Sequence, residues 1–335
     1  MKKTGILATV TAVGLLLAGC GSGGEDAESA GGSTGEGGLQ TVDVGQVQLP
    51  IFAPLYVAEA KGYFADEGIE INLQTVKSGQ DAIPLASSGK LDAVVAGFSA
   101  GMLSAIDSGL DVQVVGSMGV SDGSPDESPT ALVGKAGDVA DVADLEGKKV
   151  AVAGGAGGTG AYLLALALEP AGLTINDVEL VNLGNPDMPT ALANGSIDAG
   201  LMSAPFSANA IGDGTGVSLA VPPAGTSGTG VVFGGEFASS DLAQPFFDAL
   251  ARGAKDLQGE DRYSEENLKI IGDATGQTPE EVAAVPLYTW KPDLAPLADQ
   301  LSAMEEVWMQ AGAIEYDEPL SQDDYINSSF AENAK

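Results

Sequence analysis

Residues 85–101, LASSGKLDAVVAGFSAG, and residues 191–206, ALANGSIDAGLMSAPF, follow one grammar. Each holds a helix end, a glycine turn, an aliphatic residue with an aspartate, an apolar strand and a loop of small residues. Gly89-x-Leu91-Asp92-Ala93 and Gly195-x-Ile197-Asp198-Ala199 superimpose without a gap. Two copies are too few to stack as a solenoid, so the repeat points to two lobes built on one plan. Working outward, residues 41–49 and 69–76 alternate apolar and polar residues, as half-buried strands do. Further strands are expected at 91–97, 112–116, 131–133, 149–153, 178–183, 197–202 and 231–233, mostly separated by helical stretches. That order indicates α/β architecture with mostly parallel sheets. Residues 50–56 read as a turn with two prolines, and a helix is expected over 57–64.

Gly155-x-Gly157-x-x-Gly160, after the apolar run of 149–153, fits the dinucleotide fingerprint. A nucleotide site also needs an acid about twenty residues on, at the end of the next strand, for the ribose hydroxyls. That strand ends instead in Asn182 and Leu183, and no Gly-Lys-Ser or Gly-Lys-Thr follows the glycines. The backbone physics survives without the nucleotide: small residues let a ligand approach exposed N–H groups at a helix start.

The chain has 335 residues and opens on MKKTGILATVTAVGLLLAGC. Lys2 and Lys3 precede a short apolar run, as in a secretory signal of residues 1–19. Leu17-Ala18-Gly19-Cys20 resembles a bacterial lipobox, which makes Cys20, the single cysteine, a lipidation site. Residues 20–38 are mostly glycine, serine and acid, the composition of a flexible tether. No second run is long and apolar enough to span a bilayer, so the expected place is the extracytoplasmic face of the cell membrane, held by lipid.

Forty-seven Asp and Glu against 14 Lys and Arg give a formal charge of -33. Nucleic acid is not a partner for such a surface. There is no histidine, which removes Ser-His-Asp and Cys-His catalysis and histidine metal sites. No cluster with metal-ligand spacing occurs, and neither enzyme activity nor a cofactor is expected.

FAPLYVAEAKGYFADEGIEI at 52–71, DLEGKKVAVAGGAGGTGAY at 144–162 and LVNLGNPDMPTALANGSIDAGLMSAPF at 180–206 together resemble solute-binding proteins of ABC importers of the nitrate, sulfonate and taurine type. The same group includes pyrimidine-binding relatives of thiamine synthesis. The resemblance covers about residues 44–247. It implies a type II periplasmic-binding-protein-like clamshell, each lobe a mixed, mostly parallel sheet flanked by helices. Lobe 1 would comprise 39–130 plus 230–335, and lobe 2 would comprise 131–229. The implied partners are a small solute, most simply a sulfonate-, nitrate- or taurine-type anion, and a permease with a cytoplasmic ATPase. The protein would act as a monomer.

In open α/β sheets, ligands sit beyond the carboxyl ends of strands, at helix N-termini. This selects Phe52, Ala53, Pro54, Leu55 and Tyr56; Ser78, Gly79 and Gln80; Phe98 and Ser99; and Ser117 and Met118 from lobe 1. Lobe 2 supplies Gly157, Gly158, Thr159 and Gly160, with Asn185, Ser203 and Phe206. Phe98 and Phe206 read equally as core aromatics, and Ser78 and Thr159 equally as plain helix caps. An aromatic or pyrimidine-like heterocycle between Tyr56, Phe98 and Phe206 is the competing ligand. Asp187 reads as a solvated loop acid.

Overall fold

A computed structural model describes residues 38–124 and 128–335. Residues 1–37, with Cys20, the signal and all but the last residue of the tether, lie outside the described residues. The strands run in chain order as β1 Gln40–Gln46, β2 Ile69–Thr75, β3 Ala93–Gly97, β4 Val112–Ser117, β5 Thr130–Lys135, β6 Lys149–Val152, β7 Glu179–Asn182, β8 Ala199–Ser203, β9 Gly216–Ala220 and β10 Thr229–Gly234. The helices are α1 Ala53–Ala60, α2 Tyr63–Asp66, α3 Gly79–Ser87, α4 Ala100–Asp107, α5 Thr159–Leu168, α6 Met188–Asn194, α7 Phe206–Gly212, α8 Gly235–Ala238, α9 Ala243–Lys255, α10 Glu265–Thr275, α11 Pro279–Ala283, α12 Ala298–Gln310 and α13 Ser329–Glu332.

Two five-stranded sheets have matching orders, β2-β1-β3-β10-β4 and β7-β6-β8-β5-β9. In each, the first three strands are parallel and the fourth in spatial order runs antiparallel to both neighbours. The chain enters the second sheet after β4 and returns after β9. The two-lobed α/β fold expected from the sequence is therefore the one observed. Central strand β3 is apolar throughout because helices cover both faces of its sheet, as parallel strands require. On one face, Phe233 of β10 meets Phe246 of α9 edge-on, with ring centroids 5.7 Å apart. On the other face, the apolar core is continuous with that of the second sheet and with Leu301, Met304 and Trp308 of α12.

The repeated aspartate has the same task in both sheets. Asp92 N–H donates to Asp43 O at 2.8 Å, and its carboxylate accepts Asp43 N–H at 2.7 Å. Asp198 N–H donates to Lys149 O at 2.8 Å, and its carboxylate accepts Lys149 N–H at 2.9 Å. Each acid thus clamps the central parallel pair. Burial, then the charges of Asp43 and Glu236, push the Asp92 carboxyl up, while the bond from Asp43 N–H opposes them. Asp92→Ala is expected to lower unfolding free energy by about 1–3 kcal/mol in urea titration, since Asp43 N–H loses its acceptor. Asp92→Asn keeps that acceptor, sheds the disfavoured charge, and retains most of the stability.

The first helix begins earlier than the sequence suggested. Pro50–Phe52 forms a 3-10 turn and α1 starts at Ala53. Pro54 lies in the first turn, where a missing N–H costs nothing. At the far end of α1, Lys61 Nζ reaches Asp256 at 2.9 Å, and Tyr63 Oη donates to the same carboxylate. Burial alone would raise the Asp256 carboxyl, but these bonds and the charges of Lys61 and Arg252 hold it below its ordinary value. A depressed carboxyl stabilises the fold above its unfolded pKa, and loses that contribution as pH falls through the folded one. The stability gap between wild type and Asp256→Asn should therefore be present at pH 7 and close on acidification below about pH 4. The pair is partly solvated, so the gap is expected to be at most about 1 kcal/mol in pH-resolved melts.

Candidate functional site

Between the sheets lies a cleft of about 520 Å³. Three helices open onto it: α3 and α4 from the first lobe and α5 from the second. Unpaired N–H groups and the helix dipole give each start a partial positive charge. Ser78 caps α3 by accepting Asp81 N–H at 3.3 Å, and Ser99 caps α4 by accepting Met102 N–H at 3.2 Å. The start of α5 is bare of side-chain caps, and its N-cap is Gly158. The preceding turn needs glycine, because Gly154 and Gly155 have φ of 83° and 60°, a region costly for residues with a Cβ. Lys77 and Tyr288 are the titratable groups on the wall among the described residues, with no Asp or Glu.

The cleft wall includes Phe52, Ser78, Gly79, Gln80, Phe98 and Ser99 from the first lobe, with Gly157, Gly158, Thr159, Gly160, Asn185 and Ser203 from the second. Thr159 is no mere cap. Its hydroxyl lies 2.9 Å from Phe98 O and 2.8 Å from Gly228 O, joining the lobes. Ser99 and Gly158 also form a β-bridge across the same junction. Asn182, where a dinucleotide fold would place its ribose acid, lines the cleft as an amide.

Other expected positions lie elsewhere. Ala53, Pro54, Leu55 and Tyr56 are buried in α1, because the early helix start turns them into the first lobe's core. Tyr56 Oη accepts Leu49 N–H at 3.2 Å, and burial, the largest influence, raises its pKa beyond the usual tyrosine range. Ser117 and Met118 are covered by the C-terminal segment: Ser117 N–H donates to Leu294 O and its hydroxyl to Ala295 O, both at 2.8 Å. Phe206 is half-buried and off the cleft. The wall there is made by Ser203, Ala204 and Pro205, and Phe206 already belongs to α7, which packs on β5, β8 and β9. Tyr56 and Phe206 therefore do not stack on a shared ligand with Phe98.

Sequence reading missed the contribution of the C-terminal third. Tyr288 enters the wall and its hydroxyl lies 2.7 Å from Thr130 Oγ1. Burial pushes this hydroxyl up, partly offset by Thr130 and Ser203. Gln300 of α12 binds the returning crossover, accepting Ser227 N–H at 2.8 Å and donating to Gly225 O at 2.6 Å. Trp308 Nε1–H donates to Gly158 O at 3.0 Å, fixing the start of α5 from behind. No local motif marks these residues.

Two like lobes, two crossovers and a cleft between strand ends define a two-lobed binding-protein fold. Solved structures share it. The alkanesulfonate-binding protein SsuA from Xanthomonas axonopodis pv. citri, bound to MOPS, has a TM-score of 0.64 and 20% identity over 82% of this chain and 94% of its own. The periplasmic nitrate-binding protein NrtA from Synechocystis PCC 6803 has a TM-score of 0.67 and 13% identity over 88% of each chain. The chain belongs to the NMT1/THI5-like family, matching its description over residues 49–260. A curated relative, 4-amino-5-hydroxymethyl-2-methylpyrimidine phosphate synthase from Aspergillus parasiticus, is 32% identical over 156 residues. That match takes in 45% of this chain and spans 42% of the relative's length. No described helix is long and apolar enough to cross a membrane.

Proposed function

We infer that the protein is the extracytoplasmic receptor of an ABC importer, capturing a small organic anion between its lobes and handing it to a permease. The observation that carries this reading is the convergence of three helix starts from both lobes on one wall that has no Asp or Glu among the described residues. An oxyanion such as a sulfonate is held there by N–H groups and hydroxyls without a buried counter-charge. Lobe 1 (39–130 plus 230–335) and lobe 2 (131–229) close on the solute, because the closed form alone contacts it from both sides. Cys20 carries a lipid that tethers the receptor to the membrane, and mass spectrometry of the native protein tests that separately.

The second ligand class is a flat heterocycle. It is supported by Phe52, Phe98 and Tyr288 on the wall and by the activity for which the Aspergillus relative is named. A catalytic role is less well supported in a chain without a histidine. Thermal melts across sulfonates, nitrate, carboxylates and pyrimidines test the reading. A true ligand at a hundredfold excess over Kd should stabilise the protein by about 2.7 kcal/mol. Turnover of a substrate with no stabilising small molecule would overturn the receptor role.

The formal charge of -33 adds a signature. Surface carboxylates repel an approaching anion, and salt screens that repulsion over about 10 Å at 0.1 M. Stopped-flow association of propane-1-sulfonate should speed up as NaCl rises. A rate that falls with salt would mean that Lys77 and the helix starts dominate the approach.

A further inference from the structure

The cleft holds a second polar group on its wall. Tyr288 Oη and Thr130 Oγ1 lie 2.7 Å apart, and Ser203 Oγ lies 3.5 Å beyond Thr130 Oγ1. Asn185 Oδ1 accepts Ser203 N–H at 2.7 Å, leaving its NH2 with no bond to the described residues. These four side chains come from four separate stretches of chain and meet on the wall. All four groups are neutral, and each can bond a neutral polar group. They contain no carboxylate to neutralise an ammonium, and burying an unpaired charge is costly.

Resting on the anion-receptor reading, we propose that Tyr288, Thr130, Ser203 and Asn185 form a tail subsite that selects solutes by a neutral hydrogen-bonding end. Hydroxyl, ether or amide tails fit it, and ammonium tails do not. The anionic head lies at the helix starts and the tail at the hydroxyl cluster, with the apolar wall of Leu163 and Leu201 also available to the solute. Despite the acidity of the whole chain, an aminoalkyl sulfonate is thereby a poor ligand. Tyr288 is a specificity-determining residue, because it alone in the cluster comes from the C-terminal segment that packs against the first lobe.

Titration calorimetry with three matched probes tests this: 2-hydroxyethanesulfonate, 2-aminoethanesulfonate and propane-1-sulfonate. The hydroxyl probe should bind about tenfold tighter than either of the others, the scale of one well-made hydrogen bond against an unmade one. In Tyr288→Phe and in the near-isosteric Thr130→Val, the ratio of hydroxyl to propyl affinity should fall toward one. Two variants at different chain positions, each checked by its melting temperature, guard against a local folding fault. Equal or tighter binding of the amino probe overturns the tail subsite, as does an unchanged ratio in both variants. If the wild-type protein binds none of the three, the anion reading fails and the subsite fails with it. Binding of all three without preference sinks the subsite alone.

Discussion

Gly253→Ala is expected to lower the unfolding free energy by about 3 kcal/mol, although alanine is the better helix former by about 1 kcal/mol. Gly253 lies within α9, at the point where this helix crosses α1. A Cβ there would fall 2.2 Å from Pro54 O and 3.1 Å from Ala58 N. Both neighbours are backbone, so no side chain can swing aside. The two helices must separate, and the buried layer of Phe52, Leu55 and Leu250 loses contact with them. Because α1 follows the Pro50–Phe52 turn on the cleft wall, the shift also reaches the site. Denaturant titration gives the stability loss. An Ala variant at least as stable as wild type would show that propensity, and not the crossing, governs this position.

Trp308→Ala is the second large effect, expected at about 3–5 kcal/mol for a fully buried tryptophan. The indole is 0% exposed and packs where both lobes meet α12. Its N–H is the partner of Gly158 O at the start of α5. Trp308→Phe separates packing from hydrogen bonding: it fills most of the volume, and Gly158 O keeps its bond from Ala161 N–H at 3.1 Å while losing the indole one, a loss of about 0.5–1.5 kcal/mol. Both variants should also weaken anion binding, since α5 loses the contact that sets its start against the cleft. Calorimetry beside melting curves reads the two together. If Trp308→Phe loses stability while affinity stays at the wild-type value, then Trp308 is a packing residue alone.

The lobes were legible in the sequence because a local pattern recurs: the Gly-x-aliphatic-Asp-Ala units set the same clamp twice. Helix starts on the cleft were legible for a similar reason, as serine caps and glycine turns are local signals. Tyr56 was misplaced by a boundary error. Moving the helix start from Val57 to Ala53 rotates that residue from rim to core. Ser117 and Met118 do lie at the end of β4, but the segment around Leu294 lies over them, and no short-range pattern announces a cover supplied from so far along the chain. Tyr288, Gln300 and Trp308 were invisible for the same reason. Their roles rest on tertiary packing, and their sequence surroundings are those of ordinary helices and loops.

The first half of the chain supplies β1 to β5 and the second half β6 to β10, yet β5 lies in the second half's sheet and β10 in the first half's. Each half has handed its fifth strand to the other, at matching places between the third and fourth strands of the recipient. This is the connectivity of a swapped dimer joined into one polypeptide. Neither sheet is whole without the other half, so cutting the chain between the repeats should yield two fragments that fold only as a pair.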